Sequence, residues 1–157
     1  GGIKKARPFL DDNEPFLVHN ADILSDINLA ELYRHHRESN AEATLLVSQR
    51  QTSRYLLLDD ANRLHGWINK STGETKPEGF SFQERQYKEM AFGGIHVISP
   101  SLFRYMESRQ WEGKFSIIPF YLSVCETACI QGYPLQDRRW FDIGKPETLA
   151  KAEEYYR

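Results

Sequence analysis

The sequence predicts an α/β fold built on a mainly parallel sheet with an inserted β-hairpin. Three observations predict it. Short apolar runs that stop at polar or acidic residues, at 16–19, 43–47 and 91–98, read as strands buried on both faces. An amphipathic segment with Leu29, Leu32, Tyr33 and His36 at three-and-four spacing stands between the first two of them. That strand, helix and strand occupy about 30 residues, the length of a βαβ unit with a right-handed crossover.

Each element follows from local chemistry. Residues 1–7 read as a helix that breaks at Pro8. Glu14-Pro15 introduces Phe16-Leu17-Val18-His19, which stops at Asn20-Ala21-Asp22: a buried strand delivering a carboxylate at its C-terminal end. Asp26 and Asn28 offer N-caps to the following helix, and residues 43–47 form the next strand. Residues 55–58 and 64–68 flank the turn Asp59-Asp60-Ala61-Asn62 and make a hairpin. Residues 70–88 are polar, with Gly73, Pro77 and Gly79, and form an exposed excursion of the kind that serves as a ligand lid or interface arm. Strand 91–98 ends at Ser99-Pro100, where a helix containing Leu102, Phe103 and Met106 begins. A second helix runs from near Ser116, its N-cap, toward Thr127, with Pro119 tolerated in its first turn. Residues 130–135 and Trp140-Phe141 are further short strands, the second ending at Asp142-Ile143-Gly144. Pro146 then opens a closing helix with Glu147 in its first turn. With no internal repeat or linker, residues 1–157 read as one portion of a single domain, the hairpin and loop at about 55–90 being the insertion.

Composition excludes several classes of function. At 157 residues, 40% hydrophobic and 13% aromatic, the chain can bury a core, so it is neither a disordered tail nor a disulfide-stapled mini-protein. Twenty Lys and Arg against 22 Asp and Glu give net −2, so no uniform positive field exists to hold nucleic acid or anionic lipid, and a polyanionic ligand must be gripped locally. The longest apolar runs fall far below the roughly 20 residues of a membrane span, and no signal peptide is evident. Cys125 and Cys129, four apart, match neither a C-x-x-C redox motif nor a zinc framework and read as reduced thiols of a cytoplasmic protein. The chain opens on Gly1-Gly2-Ile3 without an initiator Met, as if entered inside a gene.

In open α/β sheets ligands collect beyond the carboxyl ends of the strands. Two aspartates stand there, Asp22 and Asp142. Such a pair suits Mg²⁺, which takes hard oxygen ligands and usually one or two from protein while sharing substrate phosphates. Equally, each caps the turn or helix that follows it. Gly93-Gly94 at a strand entry either admits a ligand close to the backbone or marks a bulge that needs a small residue. His35-His36 has no companions at metal spacing and reads as a helix face, and Arg138-Arg139 as a surface strand start.

Four blocks occur in order: Gly1-Gly2-Ile3-Lys4-Lys5-Ala6; Pro15-Phe16-Leu17-Val18-His19-Asn20-Ala21-Asp22-Ile23-Leu24; Phe92-Gly93-Gly94-Ile95-His96-Val97-Ile98-Ser99-Pro100; and Trp140-Phe141-Asp142-Ile143-Gly144-Lys145-Pro146-Glu147. Together they resemble the sugar-1-phosphate nucleotidyltransferase family, which includes mannose-1-phosphate guanylyltransferases, glucose-1-phosphate thymidylyltransferases and N-acetylmuramate-1-phosphate uridylyltransferases. The resemblance implies a Rossmann-like three-layer sandwich with a mainly parallel mixed sheet, the nucleotide-diphospho-sugar transferase fold. It implies attack of a sugar 1-phosphate oxygen on the α-phosphorus of a nucleoside triphosphate, with Asp22 and Asp142 holding the catalytic Mg²⁺. In the same terms Gly93 and Gly94 contact the sugar, and Gly1 and Gly2 end a segment facing the nucleoside. Asn69-Lys70 stands where the family has a Glu-Lys pair for sugar hydroxyls and phosphate, and Leu56 stands where many relatives have a glycine beside the sugar. These departures leave mannose-type and muramate-type acceptors open, in cytoplasmic synthesis of nucleotide sugars for cell-envelope polysaccharide.

The family's G-x-G-T-R segment, which wraps the triphosphate, does not occur in these residues. The expectation is therefore a fold truncated at its N-terminus, the C-terminal portion of an enzyme inactive without the segment upstream of Gly1. The alternative is a non-catalytic binding or regulatory domain of the same fold. The expected partners are the nucleoside triphosphate, the sugar 1-phosphate, that upstream segment and, as a candidate homodimer, a second copy, with no nucleic acid and no membrane.

Overall fold

A computed structural model describes residues 1–80, 86–136, 138–144 and 146–156. Residues 81–85 of the expected excursion, and Lys145 of the last block, lie outside the described residues. In chain order the elements are α1 (Gly2–Leu10), β1 (Phe16–His19), β2 (Ile23–Ser25), α2 (Leu29–Glu38), β3 (Ala43–Ser48), β4 (Arg54–Leu58), β5 (Leu64–Asn69), β6 (Glu74–Lys76) and β7 (Lys88–Ile98). Two 3-10 segments (Pro100–Glu107 and Arg109–Trp111), α3 (Ile117–Val124), β8 (Ile130–Pro134), β9 (Trp140–Asp142) and α4 (Pro146–Tyr155) follow. Among the described residues no helix is long and apolar enough to cross a membrane.

The α/β class is as the sequence predicts; the run of the sheet differs. The main sheet has the order β6-β5-β4-β7-β3-β8, with β1 also on β7. Its β3–β8 ladder is parallel, while β1–β7, β3–β7, β4–β7, β4–β5 and β5–β6 are antiparallel. The expected mainly parallel sheet is thus corrected to a mainly antiparallel one, and the reason is β7. Strands β1, β3 and β8 share one direction, as a strand-helix-strand reading requires, but β7 inserts between β1 and β3 and runs against both. Eleven residues long, β7 also carries the hairpin arm: β4 joins it at Leu56↔Met90 and Leu58↔Lys88. The excursion adds β6 to that arm.

Helices cover both faces of the sheet. On one face Leu45, Val47, Ile98 and Leu58 meet Phe120, Tyr121 and Leu122 of α3 and Leu102, Phe103 and Met106 of the first 3-10 segment. On the other, Leu46, Ile95 and Val97 meet Leu32 of α2 and Ile23. The alternation of Leu45 and Val47 against Leu46 is the period-two pattern of a strand buried on both sides. Complete burial of a leucine side chain contributes about 1.5–3 kcal/mol, and both Leu32 and Leu46 are wholly buried.

Polar groups inside this core are paired. His36, on the inner face of α2, meets Thr44 Oγ1 at 2.8 Å and Ser99 Oγ at 2.9 Å, so it joins helix to sheet rather than forming a solvated or metal-binding face. His96 of β7 meets the Tyr121 hydroxyl at 2.6 Å. Asn28 caps α2, its side chain accepting from Glu31 N–H. Ser116 occupies the cap position of α3 without a side-chain bond. Helix α1 does not break at Pro8 but continues to Leu10, because a proline near the end of a short helix disrupts little of its hydrogen bonding. The cysteines are free thiols, Cys125 buried and Cys129 half-buried.

Candidate active site

The two aspartates are brought together by a small ribbon that stands apart from the main sheet. Strands β2 and β9 pair antiparallel with Ile23 opposite Asp142, and the Ile143 N–H donates to the Asp22 carbonyl at 2.8 Å. Both carboxylates converge on Gly144. A methyl group on the Gly144 Cα would lie 3.1 Å from Asp142 Oδ1 and 3.4 Å from Asp22 Oδ2, so the two oxygens are separated by no more than the sum of those distances. The capping role holds for one oxygen: Asp142 Oδ1 accepts the Gly144 N–H at 3.1 Å. Asp22 is exposed, and among the described residues its carboxylate accepts no hydrogen bond.

These residues fit a magnesium ion. Among the described residues no group of three or more His, Cys, Asp and Glu side chains converges, which excludes zinc-type cages there but not a hard cation that takes two carboxylates and keeps its remaining positions for water and phosphate. The side chain that Gly144 lacks leaves room between the two oxygens.

What holds the ribbon in place is the glycine pair. Between Leu45↔His96 and Val47↔Phe92 the β3–β7 register shifts, so Gly93 and Gly94 lie in a bulge. Gly94 has φ +73°, and a methyl group there would come within 2.8 Å of Ile23 Cγ1. Its carbonyl accepts the Asn20 N–H at 2.9 Å, and the Gly93 carbonyl accepts the Trp140 indole N–H at 2.7 Å. The bulge that calls for small residues is thus formed at Gly93-Gly94. Arg50, just past β3, completes the attachment: its guanidinium lies 4.5 Å from the Trp140 ring centroid and donates to the Phe92 carbonyl at 3.2 Å. Burial lowers the Arg50 pKa, and the charge of Asp142 opposes that shift.

Asp142 also faces an open cleft of about 770 Å³. One wall is a single face of the hairpin arm. The register sets Arg54 opposite Asn69, Leu56 opposite Trp67, Trp67 opposite Lys76 and Asn69 opposite Glu74. Side chains directly opposite across a ladder share a face, and all six line the cleft. Arg50, Phe92 and Asp142 form its floor, and Ser116, Ile118 and Leu122 its far side. Leu56 is buried within this wall, and the cleft stays open beside it.

The other expected residues are placed elsewhere. Lys70 Nζ pairs with Glu89 Oε1 at 2.6 Å; Glu89 is the register partner of Leu57 and so lies on the sheet face away from Leu56. The Gly1 amino group donates to the Phe115 carbonyl at 2.7 Å, and Gly2 has no neighbour within 4 Å of a would-be methyl group. Gly1 thus packs on the 113–115 segment, away from the aspartate ribbon. Arg139 lies 3.8 Å from the Tyr155 ring centroid. Sequence reasoning missed Arg50, Arg54, Trp67, Glu74 and Lys76. Residues two apart, at 54 and 56, 67 and 69, and 74 and 76, share a face in any strand, but only the strand register turns these pairs into one cleft wall.

Known proteins agree with this architecture. The family model "Nucleotidyl transferase" matches residues 1–157. A mannose-1-phosphate guanylyltransferase catalytic subunit beta of Danio rerio is 26% identical over 154 residues, 95% of this chain and 38% of that protein. A probable mannose-1-phosphate guanylyltransferase 3 of Arabidopsis thaliana is 25% identical over 99% of this chain and 44% of that protein. The chain therefore spans less than half the length of these curated relatives. The UDP-glucose pyrophosphorylase of Acinetobacter baumannii superimposes with TM-score 0.73 at 15% identity, over 98% of this chain and 54% of that one. The inositol-1-phosphate CTP transferase of T. maritima does so with TM-score 0.69 at 18% identity, over 97% and 58%. Such likeness establishes the shared nucleotide-diphospho-sugar transferase fold, and with the family match over its whole length the chain belongs to the nucleotidyl transferase family.

Proposed function

We propose that the intact protein transfers a nucleotidyl group from a nucleoside triphosphate to a sugar 1-phosphate, giving a nucleotide sugar and pyrophosphate. The observation that carries this reading is the convergence of Asp22 and Asp142 on Gly144, with Asp142 on the floor of a cleft that has a polar and aromatic wall. In the reaction a sugar-phosphate oxygen forms a bond to the α-phosphorus while the bond from that phosphorus to the pyrophosphate oxygen breaks. No proton need move at phosphorus, so the task is positioning and charge neutralisation. Asp22 and Asp142 would hold Mg²⁺, which when bound offsets negative charge on the phosphates. Arg50 and Arg54 supply fixed positive charge in the same cleft, and Asn69, which also lines it, would meet sugar hydroxyls. Mannose 1-phosphate with GTP is the first pair to assay, because the curated relatives are named for it.

A second reading, a non-catalytic domain of the same fold, has one observation in its favour: position 69 is an amide and Lys70 is engaged by Glu89. The two readings separate in a pyrophosphate-release assay on the intact protein with a panel of nucleoside triphosphates and sugar 1-phosphates. The enzyme reading expects Mg²⁺-dependent turnover that Asp22→Asn and Asp142→Asn each lower by at least about 100-fold. Turnover unaffected by both substitutions overturns the metal assignment, and no turnover with any pair favours the binding domain.

A further inference from the structure

If the cleft is the acceptor site, one group is missing from it: the carboxylate that the resemblance puts at position 69. The β5–β6 ladder offers a replacement. Asn69 and Glu74 are direct partners across it, both line the cleft, and among the described residues Glu74 is the carboxylate on the arm's cleft face. The next pair is Trp67 and Lys76. The Lys76 ammonium lies 5.3 Å from the Trp67 ring centroid and 3.2 Å from Glu74 Oε1, so one cation contacts both the indole and the carboxylate. Asn69 Oδ1 already accepts the Ser71 N–H at 3.0 Å, which leaves its NH₂ donors for a ligand, with Glu74 the acceptor across the ladder. A carboxylate acceptor, amide donors and an ammonium beside an aromatic face match a ring bearing several hydroxyl groups, each of which both donates and accepts.

We propose that Glu74, with Asn69 opposite it, is the specificity-determining pair that binds neighbouring hydroxyls of the acceptor sugar. This rests on the cleft being the acceptor site, and the test separates the two. The intact protein is titrated calorimetrically, in the presence of Mg²⁺, with mannose 1-phosphate, glucose 1-phosphate and inorganic phosphate. The wild type should bind at least one sugar phosphate about 10- to 100-fold more tightly than inorganic phosphate, the range for hydrogen bonds to a charged group. Glu74→Gln should erase that preference while leaving inorganic phosphate affinity unchanged, and Glu74→Asp should restore part of it. Half-exposed on a short outer strand, Glu74 can be exchanged without loss of the fold, which an unchanged melting curve verifies. Equal preference in Glu74→Gln and wild type overturns the proposal, as does a wild type that does not distinguish sugar phosphates from inorganic phosphate. Pyrophosphate release undiminished in both Asp22→Asn and Asp142→Asn instead overturns the metal reading, while the titration still decides the role of Glu74.

Discussion

Replacing Gly144 with alanine puts a methyl group into the space on which Asp22 and Asp142 converge, and its consequences for folding and for metal binding pull apart. The backbone there lies outside the left-handed region, so alanine meets no conformational penalty, and the narrower unfolded ensemble contributes about 0.4–1 kcal/mol in its favour. Against this stand contacts of 3.1 Å to Asp142 Oδ1 and 3.4 Å to Asp22 Oδ2. The first is tight by a few tenths of an ångström, but both oxygens end side chains that can rotate away. Net stability should therefore change by less than about 1 kcal/mol. Metal binding has no such freedom, because moving either oxygen spoils the pair. Disturbing groups that orient metal ligands costs about 10- to 100-fold in affinity, and a methyl group wedged between ligands should cost at least that. Urea unfolding and titration with Mg²⁺ and Mn²⁺ measure the two effects on the same sample. Unchanged metal affinity in a folded Gly144→Ala variant would refute the assignment of this space to a cation. A loss of more than about 3 kcal/mol in stability would refute the packing argument.

Three further predictions address the frame around the site. Gly94→Ala combines a left-handed φ with a 2.8 Å approach to Ile23 and should cost about 2–4 kcal/mol in urea unfolding; a cost below about 1 kcal/mol would show that the bulge relaxes freely. Arg50→Met removes the guanidinium from Trp140 and from the Phe92 carbonyl and should cost about 1–2 kcal/mol, whereas no loss would mean that the ribbon is held by other contacts. Burial pushes the His36 pKa down to about 4 and that of His96 to about 3. Both rings stay neutral in the folded chain where the unfolded chain takes up protons near pH 6.5. Their stabilisation is therefore complete above that pH and is lost as pH falls from 6.5 toward 4 and 3, by up to about 1.4 kcal/mol per pH unit for each ring. Urea midpoints at pH 7, 6 and 5 check this, and a flat profile would contradict it.

The positions of the strands were legible because their signal is local. Phe16–His19, Ala43–Ser48 and Ile130–Pro134 stand where apolar runs meet polar stops, and Asn28 announces α2 through its own side chain. Strand direction is not local. A run such as Ala91-Phe92-Gly93-Gly94-Ile95-His96-Val97-Ile98 is apolar because both faces are covered, and that cover is the same whether its neighbours run with it or against it. The pattern therefore reveals β7 and hides its direction. The ribbon was harder still. Each of its strands has three residues, the pairing spans almost the whole chain, and neither strand has a pattern that survives apart from the other. Asp22 and Asp142 were singled out nonetheless, since a carboxylate at a strand end is conspicuous in sequence, and the fold brings the two together at Gly144. Glu74 and Lys76 were not, since nothing marks them until the β5–β6 register sets them opposite Asn69 and Trp67.

The dependence of the aspartates on β7 follows from the size of that ribbon. A two-stranded piece so short has little stability of its own in water, so the geometry of Asp22 and Asp142 is borrowed from what the ribbon rests on. Three of its attachments lead to one stretch of β7: the Trp140 indole to the Gly93 carbonyl, the Asn20 N–H to the Gly94 carbonyl, and Arg50 bridging Trp140 and the Phe92 carbonyl. A regular strand spends its carbonyls on its neighbours, whereas a bulge leaves some free and turns them outward. The register shift at Gly93-Gly94 thus supplies acceptors for a part of the chain that the main sheet does not otherwise hold. On this account the glycine pair serves the reaction by positioning: it fixes the ribbon, the ribbon fixes Asp142 at the cleft floor, and the cleft wall formed by the arm joins the same strand a few residues earlier, through Leu56↔Met90. Both walls of the site hang from β7, so substitutions in the bulge should alter metal affinity and acceptor affinity together, while Gly144→Ala alters the first and Glu74→Gln the second.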